Sequence, residues 1–413
     1  MKYACIAPKL GHSFSALIHA MIGDYDYILR EVPEDELDAF MRARDFKGLN
    51  VTIPYKERVL SYLDEISDTA AAIGAINTVV NRDGRLYGYN TDFGGLSALI
   101  RRIGVDLRGK KVLVLGTGGT SKTARTVARS LGAAEIIVVS RSEKSGSVTY
   151  AEARRSHTDA AYIINATPCG MFPDLDGCPI DLSYFPALQG VADPVYNPLS
   201  SRLVLAARRR GIPAQGGLYM LVAQAVMAAT LFTGKTYPVE TTDRIYDTLL
   251  RSKRNIVLIG MPGSGKSTVG RLAAERLERP FVDLDEEIVR HTGRPITDIF
   301  ARDGEVAFRD LESAAVREAA GRTGLVIATG GGCVLRPENV ELLRLNGSLV
   351  FLDRPLEHLL PTADRPLSDS NDKLRSLYAR RRPIYLSAAD AVIPVTEDIS
   401  AVADSVISCC AKE

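Results

Sequence analysis

An α/β architecture of parallel sheets is what this sequence predicts, and three observations predict it. Apolar, β-branched runs alternate with helix-compatible stretches, as at Ala133 to Val139, Tyr162 to Ile164, Gly324 to Ala328 and Ser348 to Leu352, the layout of strands joined by crossover helices. Two such runs break into glycine-rich turns, Lys111 to Gly119 (KVLVLGTGG) and Asn255 to Ser267 (NIVLIGMPGSGKS), each followed by a helical period. The length of 413 residues accommodates two or three domains of about 150 residues each.

Composition narrows the class of partner. Hydrophobic residues make up 46% and charged residues 24%, with a mean hydropathy of +0.00, so the chain is expected to fold and stay out of the bilayer. Lys plus Arg number 51 against 50 Asp plus Glu, a net charge of +1, which offers no basic field for nucleic acid. The apolar stretch Leu218 to Phe232 carries Gln224 and Thr230 and falls short of the roughly 20 residues a spanning helix needs; it reads as a buried helix. Behind Met1 only Tyr3 to Ala7 are apolar before Pro8 and Lys9, so no signal peptide is expected and the location predicted is cytoplasmic. Six cysteines show no C-x-x-C pair and five histidines no H-E-x-x-H; reduced structural thiols and no zinc follow. Dimerisation is left open.

In chain order, about a hundred residues precede the first glycine turn and need a sheet of their own. They hold three polar clusters: His12-Ser13-Phe14-Ser15, Asn50-Val51-Thr52-Ile53-Pro54-Tyr55-Lys56 and Asn90-Thr91-Asp92-Phe93-Gly94. Turn and cap chemistry accounts for each separately. Together, hydroxyls and amides with one Lys and one Asp also make a site for a polyhydroxylated carboxylate with an acid/base pair built in.

The strand Val112 to Leu115 then leads into Gly116, Gly118 and Gly119, with Ser121 at the third glycine position of G-x-G-x-x-G. Such a turn lets backbone approach a pyrophosphate, although a plain strand-to-helix turn looks the same. The next strand ends Ser140-Arg141-Ser142, where an NAD enzyme places an acid for the ribose diol. Arg141 suits a 2′-phosphate instead and favours NADP.

A boundary is expected at Arg251 to Arg254 (RSKR), a short charged linker, because a fresh strand opens behind it. That strand, Ile256 to Ile259, runs into Gly260-Met261-Pro262-Gly263-Ser264-Gly265-Lys266-Ser267-Thr268. This satisfies G-x-x-x-x-G-K-[ST], in which backbone N–H groups cradle phosphate, Lys266 reaches the β- and γ-oxygens and Ser267 ligates Mg²⁺ of ATP. The next strand carries Val282-Asp283-Leu284-Asp285, whose two carboxylates at i and i+2 share one strand face; one serves the metal shell and the other an acceptor hydroxyl. Arg309 and Arg381 are placed for an anionic substrate, although Arg380 to Arg382 also reads as a solvated helix face.

The S-x-S pair, N-V-T-x-P-x-K, GAINTVV, NTD, GTGG, INATPCGM, DPVYNPL and GGLYMLVAQA occur in the order found in shikimate dehydrogenases, and the chain resembles that family over roughly Lys2 to Leu250. The resemblance implies a substrate domain, 1–103 together with 218–250, around an NADP-binding Rossmann domain, 104–217. It implies that Ser13 and Ser15 hold the substrate carboxylate, that Asn50 lies in the substrate site, and that Thr52, Asn77, Asp92 and Gln224 hold ring hydroxyls. Lys56 and Asp92 would be the catalytic pair, with Met171 and Gly217 bordering the nicotinamide and Tyr196 nearby. The chain departs from the family in reading APKLGHS before the serines and Ala16 after them.

From 254 to 413 the P-loop, Asp283, Asp285, Phe308-Arg309 with Glu312, Gly330-Gly331-Gly332, Arg365-Pro366-Leu367 and Arg381-Arg382-Pro383-Ile384-Tyr385 resemble shikimate kinase. That resemblance implies that Asp285, Arg309, Gly331 and Arg381 bind shikimate, that Glu312 orients Arg309, that Asp283 supports Mg²⁺ and that Arg365 belongs to a lid. Both resemblances lead to one expectation: NADPH-dependent reduction of 3-dehydroshikimate to shikimate, then MgATP-dependent phosphorylation of shikimate. The alternative from another class is a metabolite-sensing regulator descended from these enzymes. It would have lost catalytic groups, and Lys56, Asp92, Lys266, Ser267 and Asp285 are all present.

Overall fold

The computed structural model describes residues 2–10, 14–23, 25–359 and 371–411. It divides into two compact units, Met1–Thr248 and Leu249–Glu413. Arg251–Lys253, expected as a linker, is instead the last turn of the helix Val239–Lys253; the stretch lacks Gly or Pro, and its predominantly basic side chains suit a helix C-terminus.

The first unit contains two sheets. Strands β1 (Tyr3–Ala7), β2 (Tyr27–Glu31), β3 (Gly48–Val51), β4 (Glu65–Ile66), β5 (Thr78–Arg82) and β6 (Arg85–Tyr89) form the first, in the order β2-β1-β3-β5-β6-β4. It is not the wholly parallel sheet predicted, since β5 runs antiparallel to both β3 and β6. The tight turn at Asp83 and Gly84, both at positive φ, makes β5 and β6 a hairpin, a connection too short to carry a crossover helix. Buried Ile6, Leu37, Met41, Leu49, Tyr55 and Val79 pack one core, where each large apolar side chain contributes about 1.5–3 kcal/mol. The predicted buried helix, observed as Leu218–Thr233, returns to this sheet: the Tyr3 hydroxyl donates to the Phe232 carbonyl at 2.9 Å. It also lies against the helix Thr91–Ile103, closely enough that a Cβ on Gly95 would sit 2.7 Å from the Met220 carbonyl oxygen.

The second sheet holds β7 (Lys111–Leu115), β8 (Glu135–Ser140), β9 (Val148–Thr149), β10 (Tyr162–Asn165), β11 (Gly190–Asp193) and β12 (Ala214–Gly216), in the order β12-β11-β10-β7-β8-β9. All pairs are parallel. The order reverses direction at β7, whose C-terminal end leads into the glycine turn, and ligands bind at such a switch point in open α/β sheets.

The second unit is one parallel sheet, β13 (Asn255–Ile259), β14 (Phe281–Asp283), β15 (Val326–Ala328), β16 (Gly347–Asp353) and β17 (Ala391–Pro394), ordered β14-β15-β13-β16-β17. Strand β13 is central and buried throughout, so the loop at its end emerges where the sheet order switches. No helix among the described residues is long and apolar enough to cross a membrane.

Candidate active sites

At the C-terminal end of β3 the chain turns through a cis Ile53-Pro54 bond into a one-turn helix, Tyr55–Arg58. Tyr55 is buried and its hydroxyl donates to the Val32 carbonyl at 2.6 Å, while the Lys56 carbonyl accepts from Ile76 N at 2.8 Å. These anchors aim Lys56 at the first turn of Thr91–Ile103, where its Nζ donates to Asp92 Oδ2 at 2.6 Å. Asn90 caps that helix by accepting from Phe93 N at 3.2 Å, which fixes the turn carrying Asp92.

Around the pair lies a preset polar network. Asn77 Oδ1 accepts from Thr91 N at 2.6 Å and from the Thr78 hydroxyl at 3.1 Å, and its Nδ2 donates to Thr91 Oγ1 at 3.0 Å. The Thr91 hydroxyl in turn reaches Gln224 Oε1 at 3.3 Å. Asn50 is buried; its Oδ1 accepts from the Tyr27 hydroxyl at 2.7 Å and its Nδ2 donates to Thr78 Oγ1 at 3.2 Å. The Tyr27 ring stacks on His19, centroids 3.7 Å apart, and His19 Nδ1 meets the Tyr25 hydroxyl at 2.5 Å. Burial pushes the His19 imidazole down to about 3, so it is neutral in the folded chain. The Cys5 thiol is pushed up to about 11 by burial, with the Lys56 ammonium opposing, so it too stays uncharged. Thr52, half-buried, stands at the end of β3, and Ser15 opens the helix Ser15–Ile22; Ser13 lies outside the described residues.

In the second sheet, Gly116 has φ of +104° and presses against the neighbouring loop: a Cβ there would lie 2.8 Å from Thr167 Cγ2 and 3.0 Å from the Ala166 oxygen. Gly118 precedes the helix Gly119–Ser130, and at both Gly118 and Gly119 the space beside Cα is open. Ser121 and Thr123 are buried inside this helix. Ser140 is buried at the end of β8, with Arg141 and Ser142 exposed behind it. Exposed Met171 follows β10, and Tyr196 follows β11. Gly217 is wedged so tightly that a Cβ would fall 1.9 Å from the Pro194 carbonyl oxygen. Asp193 is fully buried and pushed up to about 6 by that burial, despite bonds from Ser201, Val195 and Asn165.

In the second unit Gly260, Gly263 and Gly265 all take positive φ, shaping a loop that ends at the helix Lys266–Arg276. Lys266 is buried and its Nζ donates to the Gly260 and Met261 carbonyls at 3.0 and 2.8 Å. Buried Ser264 Oγ has no hydrogen-bond partner among the described residues. Exposed Ser267 donates to Asp283 Oδ2 at 2.5 Å, and Thr268 is exposed beside it. The strand does not carry Asp283 and Asp285 on one face as predicted: β14 stops at Asp283, which caps Leu284–Thr292 by accepting from Asp285 N at 3.0 Å. Asp285 thus belongs to the first helical turn. An aspartate at a strand end competes for its own backbone N–H groups and starts the helix.

Arg309 is held by two carboxylates, NH1 to Glu312 Oε2 at 2.8 Å and NH2 to Glu305 Oε1 at 3.0 Å. Burial works against the Arg309 charge, but Glu312 and Glu305 outweigh it and raise its pKa; burial also raises the Glu312 carboxyl, with Arg309 opposing. Arg381 NH1 donates to the Gly331 carbonyl at 2.9 Å, and the Tyr385 hydroxyl bonds the same oxygen. The run Arg380 to Arg382 is therefore not one solvated face: Arg380 is exposed, Arg381 buried, and Arg382 paired with Asp353 at 2.6 Å. Arg365 lies outside the described residues.

Comparison with known proteins sorts the two units. The family model for the shikimate dehydrogenase substrate binding domain matches residues 5–79. Over 265 residues the chain is 34% identical to a shikimate dehydrogenase (NADP(+)) from Clostridium perfringens, covering 60% of this chain and 97% of that protein. The chain belongs to the shikimate dehydrogenase family. Behind the dehydrogenase region it carries a shikimate kinase domain, whose family model matches residues 262–411. A second dehydrogenase relative, from Symbiobacterium thermophilum, is 37% identical over 54% of this chain and 82% of its own. Among solved structures, a chorismate mutase/shikimate 5-dehydrogenase fusion protein from Clostridium acetobutylicum superposes with a TM-score of 0.57 at 32% identity, covering 60% of this chain and 96% of that one. Shikimate 5-dehydrogenase from Thermus thermophilus in complex with NADP(H) and shikimate gives 0.54 at 30% identity, over 60% and 99%.

In the dehydrogenase, the structure pairs Lys56 with Asp92 and, beside that pair, joins Asn77 and Gln224 through Thr91, the residue before Asp92, while Asn50 faces inward to Tyr27 and Thr78. Sequence reasoning missed Thr78, Tyr27 and His19, whose partners include residues distant in the chain. In the kinase domain it missed Glu305, four residues before Arg309 on the helix Ile296–Ala320. An i,i+4 spacing of Glu to Arg was the available signal.

Proposed function

We propose that this chain is a bifunctional cytoplasmic enzyme of the shikimate pathway, reducing 3-dehydroshikimate to shikimate with NADPH and then phosphorylating shikimate with MgATP. The observation that carries the reading is the Lys56–Asp92 pair at 2.6 Å, standing in one chain with a Lys266 phosphate loop whose family acts on the product. Residues 1–103 with 218–250 form the substrate domain, 104–217 the NADP domain and 254–413 the kinase.

In the dehydrogenase, Ser13 and Ser15 hold the carboxylate, and Thr52, Asn77, Asp92 and Gln224 hold ring hydroxyls, with Asn50 in the wall of that site and Tyr196 near the substrate. The bound cofactor supplies the hydride. Lys56 Nζ holds the proton that the developing alkoxide takes up, and the Asp92 carboxylate keeps that ammonium charged and aimed. The residues fit NADP: positive-φ Gly116 with open Gly118 and Gly119 at a helix N-terminus suits a pyrophosphate, and exposed Arg141 between Ser140 and Ser142 suits the 2′-phosphate. Met171 and Gly217 border the nicotinamide.

In the kinase domain, Gly260, Gly263, Ser264, Gly265, Lys266 and Thr268 would hold the triphosphate of ATP, and the buried, unpartnered Ser264 hydroxyl fits that task. Ser267 and Asp283 present the hard oxygen donors that Mg²⁺ takes. MgATP supplies the phosphoryl group and charge neutralisation when bound. Arg309 and Arg381, beside Gly331, grip the shikimate carboxylate, and Glu312 orients Arg309. Asp285 orients the 3-hydroxyl and accepts its proton, and Arg365 stabilises transferred charge.

A two-channel assay of the purified chain tests this: NADP⁺ reduction with shikimate, and ADP release from shikimate plus MgATP. Both signals are expected. Shikimate binding with neither signal would overturn the proposal and favour a sensing role.

A further inference from the structure

Asp193 is the buried charge in the dehydrogenase to which the reaction above gives no task. It ends β11 with no exposure, and its three partners lie on three different segments. Oδ1 accepts from Asn165 Nδ2 at 2.9 Å and from Val195 N at 3.1 Å, and Oδ2 accepts from the Ser201 hydroxyl at 2.5 Å.

The first bond leads to the phosphate turn. Because Asn165 gives its N–H to Asp193, its Oδ1 faces the other way and accepts from Thr167 N at 3.0 Å and the Thr167 hydroxyl at 2.7 Å. Thr167 is the residue whose Cγ2 confines Gly116. The second bond leads to the opposite wall. Val195 N is tied to Asp193, the Val195 carbonyl accepts from Gly217 N at 2.8 Å, and Pro194 O occupies the space a Gly217 side chain would need. The third bond fixes Ser201, which caps Arg202–Arg209 by accepting from Val204 N at 3.3 Å. The two loops also meet directly, Phe172 N donating to the Asn197 carbonyl at 2.9 Å, so Met171 and Tyr196 ride on the same clamp.

We propose that Asp193 is a positioning residue for the nucleotide cofactor, a buried clamp that sets the width of the cleft between the Gly116 turn and the Pro194–Gly217 wall. The inference rests on the assignment of 104–217 to NADP. The planar two-oxygen head of Asp193 ties three segments together at once, Oδ1 holding Asn165 and Val195 and Oδ2 holding Ser201.

The test measures NADPH affinity by nucleotide fluorescence on the full chain, together with the KM values for NADP⁺ and shikimate. Asp193→Ala strands three donors; the NADPH Kd and NADP⁺ KM are expected to rise by about 10- to 100-fold, with shikimate KM within about twofold. Asp193→Asn keeps the Oδ1 acceptor and can donate to Ser201 Oγ, so it is expected to restore affinity to within about threefold of wild type. Should Asp193→Ala fail to fold, Thr167→Val removes the shorter of the two Thr167–Asn165 bonds without touching the buried charge and is expected to weaken NADPH by about fivefold. Unchanged NADPH affinity in Thr167→Val and in any folded Asp193→Ala, or equal losses for NADPH and shikimate, would overturn the clamp. A wild-type chain that binds shikimate but not NADPH would instead refute the cofactor assignment itself.

Discussion

Gly332→Ala in the kinase domain should leave the fold standing and cripple one binding step. Gly332 has φ of −104° and ψ of −3°, a conformation alanine adopts without strain. The methyl group would nevertheless land 2.1, 2.2 and 2.3 Å from NH1, NH2 and Cζ of Arg309, where non-bonded contact needs about 3.5 Å. The guanidinium must therefore move by more than about 1 Å. Backbone is not what obstructs, so the cost in stability is modest, about 1–2 kcal/mol. Function is less forgiving. Arg309 is pinned at 2.8 Å by Glu312 and at 3.0 Å by Glu305, and Arg336 donates to its carbonyl at 2.9 Å, so a displaced head group loses alignment with those carboxylates and with an incoming one. One misaligned charge-assisted hydrogen bond is worth about 1.5–3 kcal/mol, which predicts a rise of about 10- to 100-fold in the KM for shikimate. MgATP KM should stay within about twofold, and the dehydrogenase signal of the same preparation serves as the internal standard. An unchanged shikimate KM, or an equal rise for MgATP, would refute the placement of Arg309.

Three further outcomes are expected. Lys56→Ala should lower shikimate oxidation by about 10²- to 10⁴-fold while ADP release continues at the wild-type rate; equal loss of both would mean that the halves act as one cooperative unit. Ser267→Ala removes a donor to Asp283 and should raise the Mg²⁺ concentration for half-maximal kinase activity by about tenfold, read by Mg²⁺ titration, with no change in the dehydrogenase. His19 has a folded pKa of about 3 against the ordinary 6.5; the folded chain binds fewer protons in that window, so stability is full above pH 6.5 and drains away as pH falls. Relative to His19→Gln, wild type should lose about 3 kcal/mol between pH 7 and pH 4 in urea unfolding of the dehydrogenase signal, and parallel pH profiles would contradict it.

What the sequence revealed tracks how local the cause was. The Gly260 to Ser267 loop and the Gly116 turn follow from contiguous residues and were legible to the residue. The antiparallel pairing of β5 was not, because a hairpin inside an otherwise crossover-rich chain is decided by Asp83-Gly84 and by tertiary pairing. Asp283 and Asp285 were legible as a pair but not in their placement, since a side chain capping its own following helix ends the strand early. Asn50 was legible as a polar candidate, yet its partners, Tyr27 on β2 and Thr78 on β5, sit on other strands of the sheet, and cross-strand register is invisible to spacing along one segment. Arg309 was legible, whereas its second carboxylate, Glu305, looked like any exposed helix acid.

The wiring of Asn77 carries a consequence of its own. Its side-chain oxygen is already satisfied by Thr91 N and the Thr78 hydroxyl, and one of its two amide hydrogens goes to Thr91 Oγ1. Turning the amide over would break buried bonds, so the side chain is locked in one orientation and, if Asn77 holds a ring hydroxyl as proposed, meets the ring only as a donor from a fixed direction. Two epimers of the same cyclic acid have identical mass, charge and polarity, and nothing in the bulk character of the pocket separates them. A single locked amide does, because inverting one carbinol centre carries its oxygen away from that hydrogen and leaves both unsatisfied. On the proposed assignment of Asn77 to a ring hydroxyl, handedness is read by a side chain that takes no part in proton transfer.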